Sequence, residues 1–266
     1  MKKSIGNIFL ALIYIILYAP LLVMVFFSFN EAKSTTVFTG FSLKWYAELF
    51  SSSNTMTALR NTLVLAVTSA LIATVIGTAA AVYMYNVRSR AWKASLDMVT
   101  NLPMMNPEIV TGVSMMLLFV FVGRLLGAVN SLSFGTLLIA HVTFNLPYVI
   151  LNVLPKLNQT DPHLAEAALD LGSTPMQAFL KVTLPSIMPG IVSGMIMAFT
   201  MSLDDFVISY YTTGSDFQTL PLMIFAMTKK TVKPDMYALS SVIFLTVLVL
   251  LLIVNIGQIR QEKKDQ

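Results

Sequence analysis

Cysteine is absent from this chain of 266 residues, which excludes disulfides, thiolate metal centres and a cysteine nucleophile. Charge is scarce as well. Only 11% of the residues are charged, against about 25% in soluble globular chains. What is abundant is apolar surface, 56% of residues with a mean hydropathy of +0.76. Such a load needs lipid around it, and a soluble enzyme is excluded on this arithmetic. The formal charge of +4 says little about nucleic acid, because the basic residues are thinly spread among apolar runs.

Long charge-free runs occupy 4–30, 61–87, 125–155, 182–203 and 236–259. Each reaches the roughly 20 apolar residues that a spanning helix needs. A sixth, 109–123, is shorter, and 96–105 precedes it with only Pro103 and Asn106-Pro107-Glu108 interrupting. Six transmembrane helices are therefore expected in an all-α polytopic chain. Lys2 and Lys3 before an apolar stretch resemble a secretory signal, but the stretch is too long and lacks a small-x-small site, so it reads as an uncleaved span. The expected organisation is a first helix and outer loop over 1–58, a core over 59–258 containing a polar loop at 156–187, and a tail at 259–266.

An even number of spans puts both termini on one side. Placing them in the cytoplasm puts Lys2, Lys3, Arg88, Arg90, Lys93, Lys156, Lys181, Arg260, Lys263 and Lys264 inside, ten cations, and leaves Lys33, Lys44, Arg60, Arg124, Lys229, Lys230 and Lys233 outside, seven. The bias has the sign of the positive-inside rule. Small residues recur every four positions in two helices: Ser69, Ala73, Gly77, Ala81, and Gly190, Gly194, Ala198, Ser202. Such seams allow close approach of backbones in lipid, either within this chain or against a second membrane subunit.

The segment 160–185 is the only long polar stretch between two spans on the inner side. Asp161 is placed to cap a helix beginning at Pro162, and Gly172 to end it in a left-handed conformation. Leu164, Ala167, Ala168 and Leu171 then form a narrow apolar stripe. A second helix starts at once, with Thr174 as cap, Pro175 at its first position and Gln177 completing a capping box; Pro185 is expected to stop it. By itself this pair of helices is equally an ordinary interfacial loop.

Glu166-Ala167-Ala168, Gly172 and Val182-Thr183-Leu184-Pro185 resemble the EAA loop of binding-protein-dependent ABC importer permeases, with Val182 where isoleucine is more usual. Lys44-Trp45-Tyr46, Asn106-Pro107-Glu108-Ile109-Val110, His141-Val142-Thr143-Phe144 and Ser202-Leu203-Asp204-Asp205 resemble, more narrowly, the PotC-type permeases of spermidine/putrescine importers. Glu108 departs from the aspartate expected there. The resemblance implies a type I importer permease fold with a coupling helix that docks in a cytosolic ATPase, so that Glu166, Ala167, Ala168, Gly172, Leu184 and Pro185 serve ATPase coupling. It also implies the partners: a homologous PotB-like permease, two PotA-like ATPases and a PotD-like external receptor. ATP and magnesium would belong to the ATPase. No G-x-x-x-x-G-K-[ST] loop occurs in this chain, and no cofactor is expected on it.

Ionisable residues at membrane depth are the second pointer to function. Asp204 and Asp205 lie 15 and 16 residues past Pro189, roughly 22 Å along a helix. On a continuous helix Asp205 falls in the small-residue seam and Asp204 about 100° away. Both an amine-binding site and a structural pair with Lys or Arg are open to them. Glu108 follows the Asn106-Pro107 break, where it either favours the positive helix end or lines the solute path. Trp45 and Tyr46 suit a membrane interface or stacking on a cationic solute. His141 and Asn145 share a helix face as a packing pair or a proton relay. Two readings from other classes are weaker. An intramembrane enzyme built on His141, Asp204 and Asp205 is a poor metal set, and H-E-x-x-H and G-x-S-x-G are absent. A secondary transporter leaves the 160–185 loop unexplained, and no symmetry between halves is seen. A permease for another small solute remains the nearest alternative.

Overall fold

The computed structural model describes residues 2–32, 37–128, 131–161, 163–229, 236–246 and 248–249. Helices dominate: α1 (Lys2–Phe27), α2 (Lys44–Ser51), α3 (Ser53–Asn86), α4 (Arg90–Met105), α5 (Glu108–Leu125), α6 (Phe134–Gln159), α7 (His163–Asp170), α8 (Pro175–Ala178), α9 (Leu184–Asp204), α10 (Val207–Thr212), α11 (Leu220–Thr228) and α12 (Met236–Thr246). Five stretches are long and apolar enough to cross a membrane: Phe9–Phe27, Ser53–Asn86, Glu108–Leu125, Phe134–Gln159 and Pro175–Asp204. The sixth expected span is represented by α12; its remainder, the tail at 259–266 and the loop lysines 33, 230 and 233 lie outside the described residues.

The chain divides into two compact units, one of residues 1–57 with 223–266 and one of 58–222. In the first, α1 is apolar on all sides and most of its side chains are exposed, as a helix facing lipid requires. The turn after it is stitched by Asn30, whose Nδ2 donates to Val37 O at 2.7 Å and whose Oδ1 accepts from Thr39 N at 2.9 Å.

The second unit is built around α6, whose Leu137, Ala140, Val149 and Val153 are fully buried. Both small-residue seams pack on it. A Cβ at Gly77 of α3 would lie 2.8 Å from the Val149 side chain, and one at Gly194 of α9 would lie 3.2 Å from Val149 Cα. The seams thus serve close packing inside this chain. Dispersion at that short range is what holds helices together in lipid.

Three boundaries differ from the sequence expectation. The run at 125–155 is not one span: Gly127 adopts φ +70° and ends α5, and α6 starts only at Phe134 behind a Ser133–Thr136 capping box. Residues 96–105 form part of the separate helix α4, capped by Ser89, whose Oγ accepts from Trp92 N at 3.4 Å. Pro185 does not stop a helix. The chain passes from α8 through a π turn (Phe179–Thr183) directly into α9, with Leu184 N donating to Phe179 O. A proline removes one backbone donor and its ring crowds the carbonyl of the preceding turn. The wider π turn absorbs that defect without breaking the helix.

Candidate functional site

The α9 helix ends at Asp204, and Asp205 turns out of it with ψ 122°. This corrects the continuous helix expected through both residues. The reason is local. Asp205 Oδ2 accepts from Ser209 N at 2.8 Å and Oδ1 from Ile208 N at 3.2 Å, so its carboxylate caps the first turn of α10 and competes with continuation of α9. The two neighbouring carboxylates are thereby separated in role: Asp205 is buried and Asp204 exposed.

A buried polar chain backs this break. His141 Nδ1 lies 2.7 Å from Ser202 Oγ, and its Nε2 lies 3.0 Å from Ser209 Oγ and 3.4 Å from Asp205 Oδ2. Ser202 Oγ is in turn 2.8 Å from Ser69 Oγ. Four helices (α3, α6, α9 and α10) meet in this network. The expected pairing of His141 with Asn145 is not formed: both side-chain polar atoms of Asn145 are buried without a hydrogen-bond partner. Nor does Asp205 pair with Lys or Arg; among the described residues its ion-pair neighbour is His141. Sequence reading treated Ser69 and Ser202 only as small residues. Their hydroxyls became meaningful once α3 and α9 were both seen to face α6.

Glu108 opens α5 after the Asn106-Pro107 break and is exposed. The start of α5 is held to the broken helix by a close approach at Gly112, where a Cβ would lie 2.9 Å from the Tyr211 ring. Tyr148 of α6 packs its ring 5.6 Å from that of Phe144 and borders the cluster of Ala140, Phe144 and Ile208. Tyr148 was not singled out by sequence, since one tyrosine on an apolar helix carries no pattern.

Trp45 and Tyr46 belong to the other compact unit and are committed to local contacts. Trp45 is buried, its Nε1 donates to Asn30 O at 2.7 Å, and Lys44 Nζ lies 5.5 Å from its ring centroid. The Tyr46 hydroxyl is 2.6 Å from Ser28 Oγ, and its ring packs 5.2 Å from Phe29. Their ordering of the turn after α1 accounts for the aromatic pair without a solute.

The second constellation is the α7–α8 corner. His163 N donates to Asp161 Oδ1 at 3.0 Å, which is the expected cap; Pro162 itself lies outside the described residues. Gly172 ends α7 with φ +85° while Gly172 N donates to Leu169 O and Ser173 N to Ala168 O. Thr174 and Gln177 close the capping box reciprocally, at 3.0 and 3.3 Å. Glu166 and Ala167 are exposed, and Leu164 and Leu171 are 49% and 87% exposed, so among the described residues the stripe of α7 is left largely uncovered, with Ala168 half-buried. Leu184 is half-buried and Pro185 exposed at the start of α9. His163 is hydrogen-bonded to Glu166 at 3.1 Å, and that bond, with the charges of Asp161 and Glu166, raises its pKa above the usual value. Pro175, Met176 and Phe179 share an apolar groove of about 990 Å³ with Thr78 of α3 and Met188 of α9. Among the described residues, no three His, Cys, Asp or Glu side chains gather as a metal site would need.

Apolar helices of membrane-spanning length, packed on α6 and joined between α6 and α9 by a capped polar corner, define a polytopic membrane protein. The family described as "Binding-protein-dependent transport system inner membrane component" matches residues 73–264, and the chain belongs to it. It is 39% identical over 237 residues to the putrescine transport system permease protein PotI of Escherichia coli (strain K12), covering 89% of this chain and 84% of that protein. It is 37% identical over 247 residues to the spermidine/putrescine transport system permease protein PotC of Haemophilus influenzae, covering 93% of each. Among solved structures, a bacterial ABC transporter involved in import of the acidic polysaccharide alginate superposes with a TM-score of 0.75 at 16% identity, over 97% of this chain and 96% of that one. The MetNI methionine ABC transporter follows with a TM-score of 0.59 at 20% identity, over 79% and 96%. The chain is a multi-pass inner-membrane permease of the ABC importer type.

Proposed function

We propose that this chain is the permease subunit of an ATP-driven polyamine importer for spermidine or putrescine. The carrying observation is its similarity over most of its length to permeases of putrescine and spermidine/putrescine systems. The exposed carboxylates of Asp204 and Glu108, which opens α5, support the same solute class. An ammonium group entering a low-dielectric path loses several kcal/mol of hydration, and carboxylates at the break of α9 replace part of it. Asp205, spent on capping α10, has a structural place instead.

In this reading the chain does no chemistry. ATP and magnesium are held by two separate ATPase subunits, a homologous permease completes the path, and an external receptor delivers solute. Both termini and the α7–α8 corner lie in the cytoplasm. Glu166, Ala167, Ala168 and Gly172 dock in the ATPase, while Leu184 and Pro185 join the corner to α9. ATP binding draws the ATPases together, carries α7 inward and opens the path toward the receptor; hydrolysis resets it.

Co-purification of the tagged chain with its partners, followed by reconstitution, tests the assignment. Asp204→Asn and Glu108→Gln are each expected to lower spermidine and putrescine uptake by about tenfold, the equivalent of some 1.4 kcal/mol, with receptor docking retained. Wild-type uptake by both variants would show that these acids do not recognise the solute. Uptake of a different solute class by the intact complex would overturn the polyamine reading itself.

A further inference from the structure

We propose that His141 is a positioning residue: one imidazole clasps the chain on both sides of the α9–α10 break and thereby sets how Asp204 is presented to the solute path. The inference rests on the assignment of Asp204 to that path. Ser202 lies two residues before Asp204, Asp205 immediately follows it and Ser209 lies five beyond, and the ring of His141 reaches all three, at 2.7, 3.4 and 3.0 Å. The ring is fully buried on α6, so its position is fixed by packing rather than by solvent.

The proton arrangement follows from the partners. A carboxylate oxygen that already accepts a backbone N–H can only accept from the imidazole, so Nε2 carries the proton toward Asp205 and Ser209. Nδ1 is then an acceptor and takes the Ser202 hydroxyl proton; Ser202 Oγ lies 2.8 Å from Ser69 Oγ, whose hydroxyl also reaches Ala66 O at 3.2 Å. The contacts run from α3 through α9 to α6 and on to the break. Buried inside the chain, these groups are shielded from water as an alternative partner, so releasing one releases the geometry of the others. Without the clasp, Ser202 near the end of α9 and Ser209 in α10 are no longer tied to the same ring on α6, and the direction in which the chain leaves α9 after Asp204 is no longer fixed.

The test is a double-mutant cycle in the reconstituted complex, reading uptake of radiolabelled spermidine and the subunit composition of each purified variant. His141→Phe keeps ring volume but removes both hydrogen-bonding nitrogens. It is expected to lower maximal uptake about tenfold, the scale of couplings within one hydrogen-bond network, while the half-saturating concentration of loaded receptor stays unchanged. Added to Asp204→Asn, it is expected to cause no further loss, because the carboxylate it positions is gone. Should the Phe variant fail to assemble, Ser202→Ala retains the ring and gives the same comparison. Wild-type uptake by His141→Phe or Ser202→Ala, or losses that multiply with that of Asp204→Asn, would overturn the clasp. Wild-type uptake by Asp204→Asn alone would instead overturn the acidic path on which it stands.

Discussion

Gly172 shows how one residue decides whether the corner exists. Its φ of +85° lies in the left-handed region, and a Cβ there would meet no heavy atom within 4 Å. The penalty for a side chain is thus one of backbone conformation, about 1–2 kcal/mol for an ordinary residue, and it grows with β-branching. Gly172→Val is therefore expected to leave membrane insertion intact and to abolish solute-stimulated ATP hydrolysis of the complex, whereas Gly172→Asn, which tolerates this conformation, retains most of it. An ATPase assay on purified complexes reads both. Full stimulation in the Val variant would mean that the corner can relocate without loss. Asp205 makes the complementary point: the same residue type as its neighbour acquires a different task because two backbone N–H groups lie within 3.2 Å of its oxygens.

At the scale of the element, α7 carries its own pH dependence. The His163 pKa is raised by its hydrogen bond to Glu166 and by the charges of Asp161 and Glu166. A raised folded-state value means that the stabilisation is fully present below the unfolded value of 6.5 and is lost as pH rises through the higher folded value. Amide exchange in α7 is expected to become faster than intrinsic chemistry predicts as pH climbs past neutrality, and His163→Ala is expected to remove that pH-dependent component. An unchanged profile in the variant would show that the pair contributes nothing to the helix. The caps of this element were legible in the sequence, because capping obeys local rules: Asp161, Gly172, Thr174 and Gln177 act within four residues of their partners. The π turn of Phe179–Thr183, which leads into α9 ahead of Pro185, was not, since α9 is fixed by its packing on α6. The acidic residues of the site were equally visible as charges in apolar runs. Their division of labour was hidden, because nothing in the pattern of charges marked the end of α9 at Asp204, where Asp205 turns to cap α10.

For the whole molecule, the lengths of the apolar helices imply which segments lie on opposite sides of a membrane, and the absolute direction depends on the distribution of Lys and Arg. The α3 helix, with 34 residues, is about 51 Å long and exceeds the roughly 30 Å hydrocarbon core. Ser52 and Ser89 at its two ends must therefore face opposite compartments. The stretch Pro175–Asp204 likewise separates Gln159 from Ser215. The parity between Ser89 and Gln159 then turns on α4, which has 16 residues, among them Arg90, Lys93 and Asp97. At about 24 Å it is too short and too charged to cross as an independent span, so only α5 and α6 cross between those two points. A reporter active only outside the cell is accordingly expected to be active when fused near Ser52 or Ser215 and silent near Ser89, Gln159 or the C-terminus. Activity at Gln159 with silence at Ser215 would invert the molecule and remove the α7–α8 corner from any cytosolic ATPase. Opposite signals at Ser89 and Gln159 would show that α4 crosses after all, and the path of the chain into the broken helix would have to be redrawn from Asn106 onward.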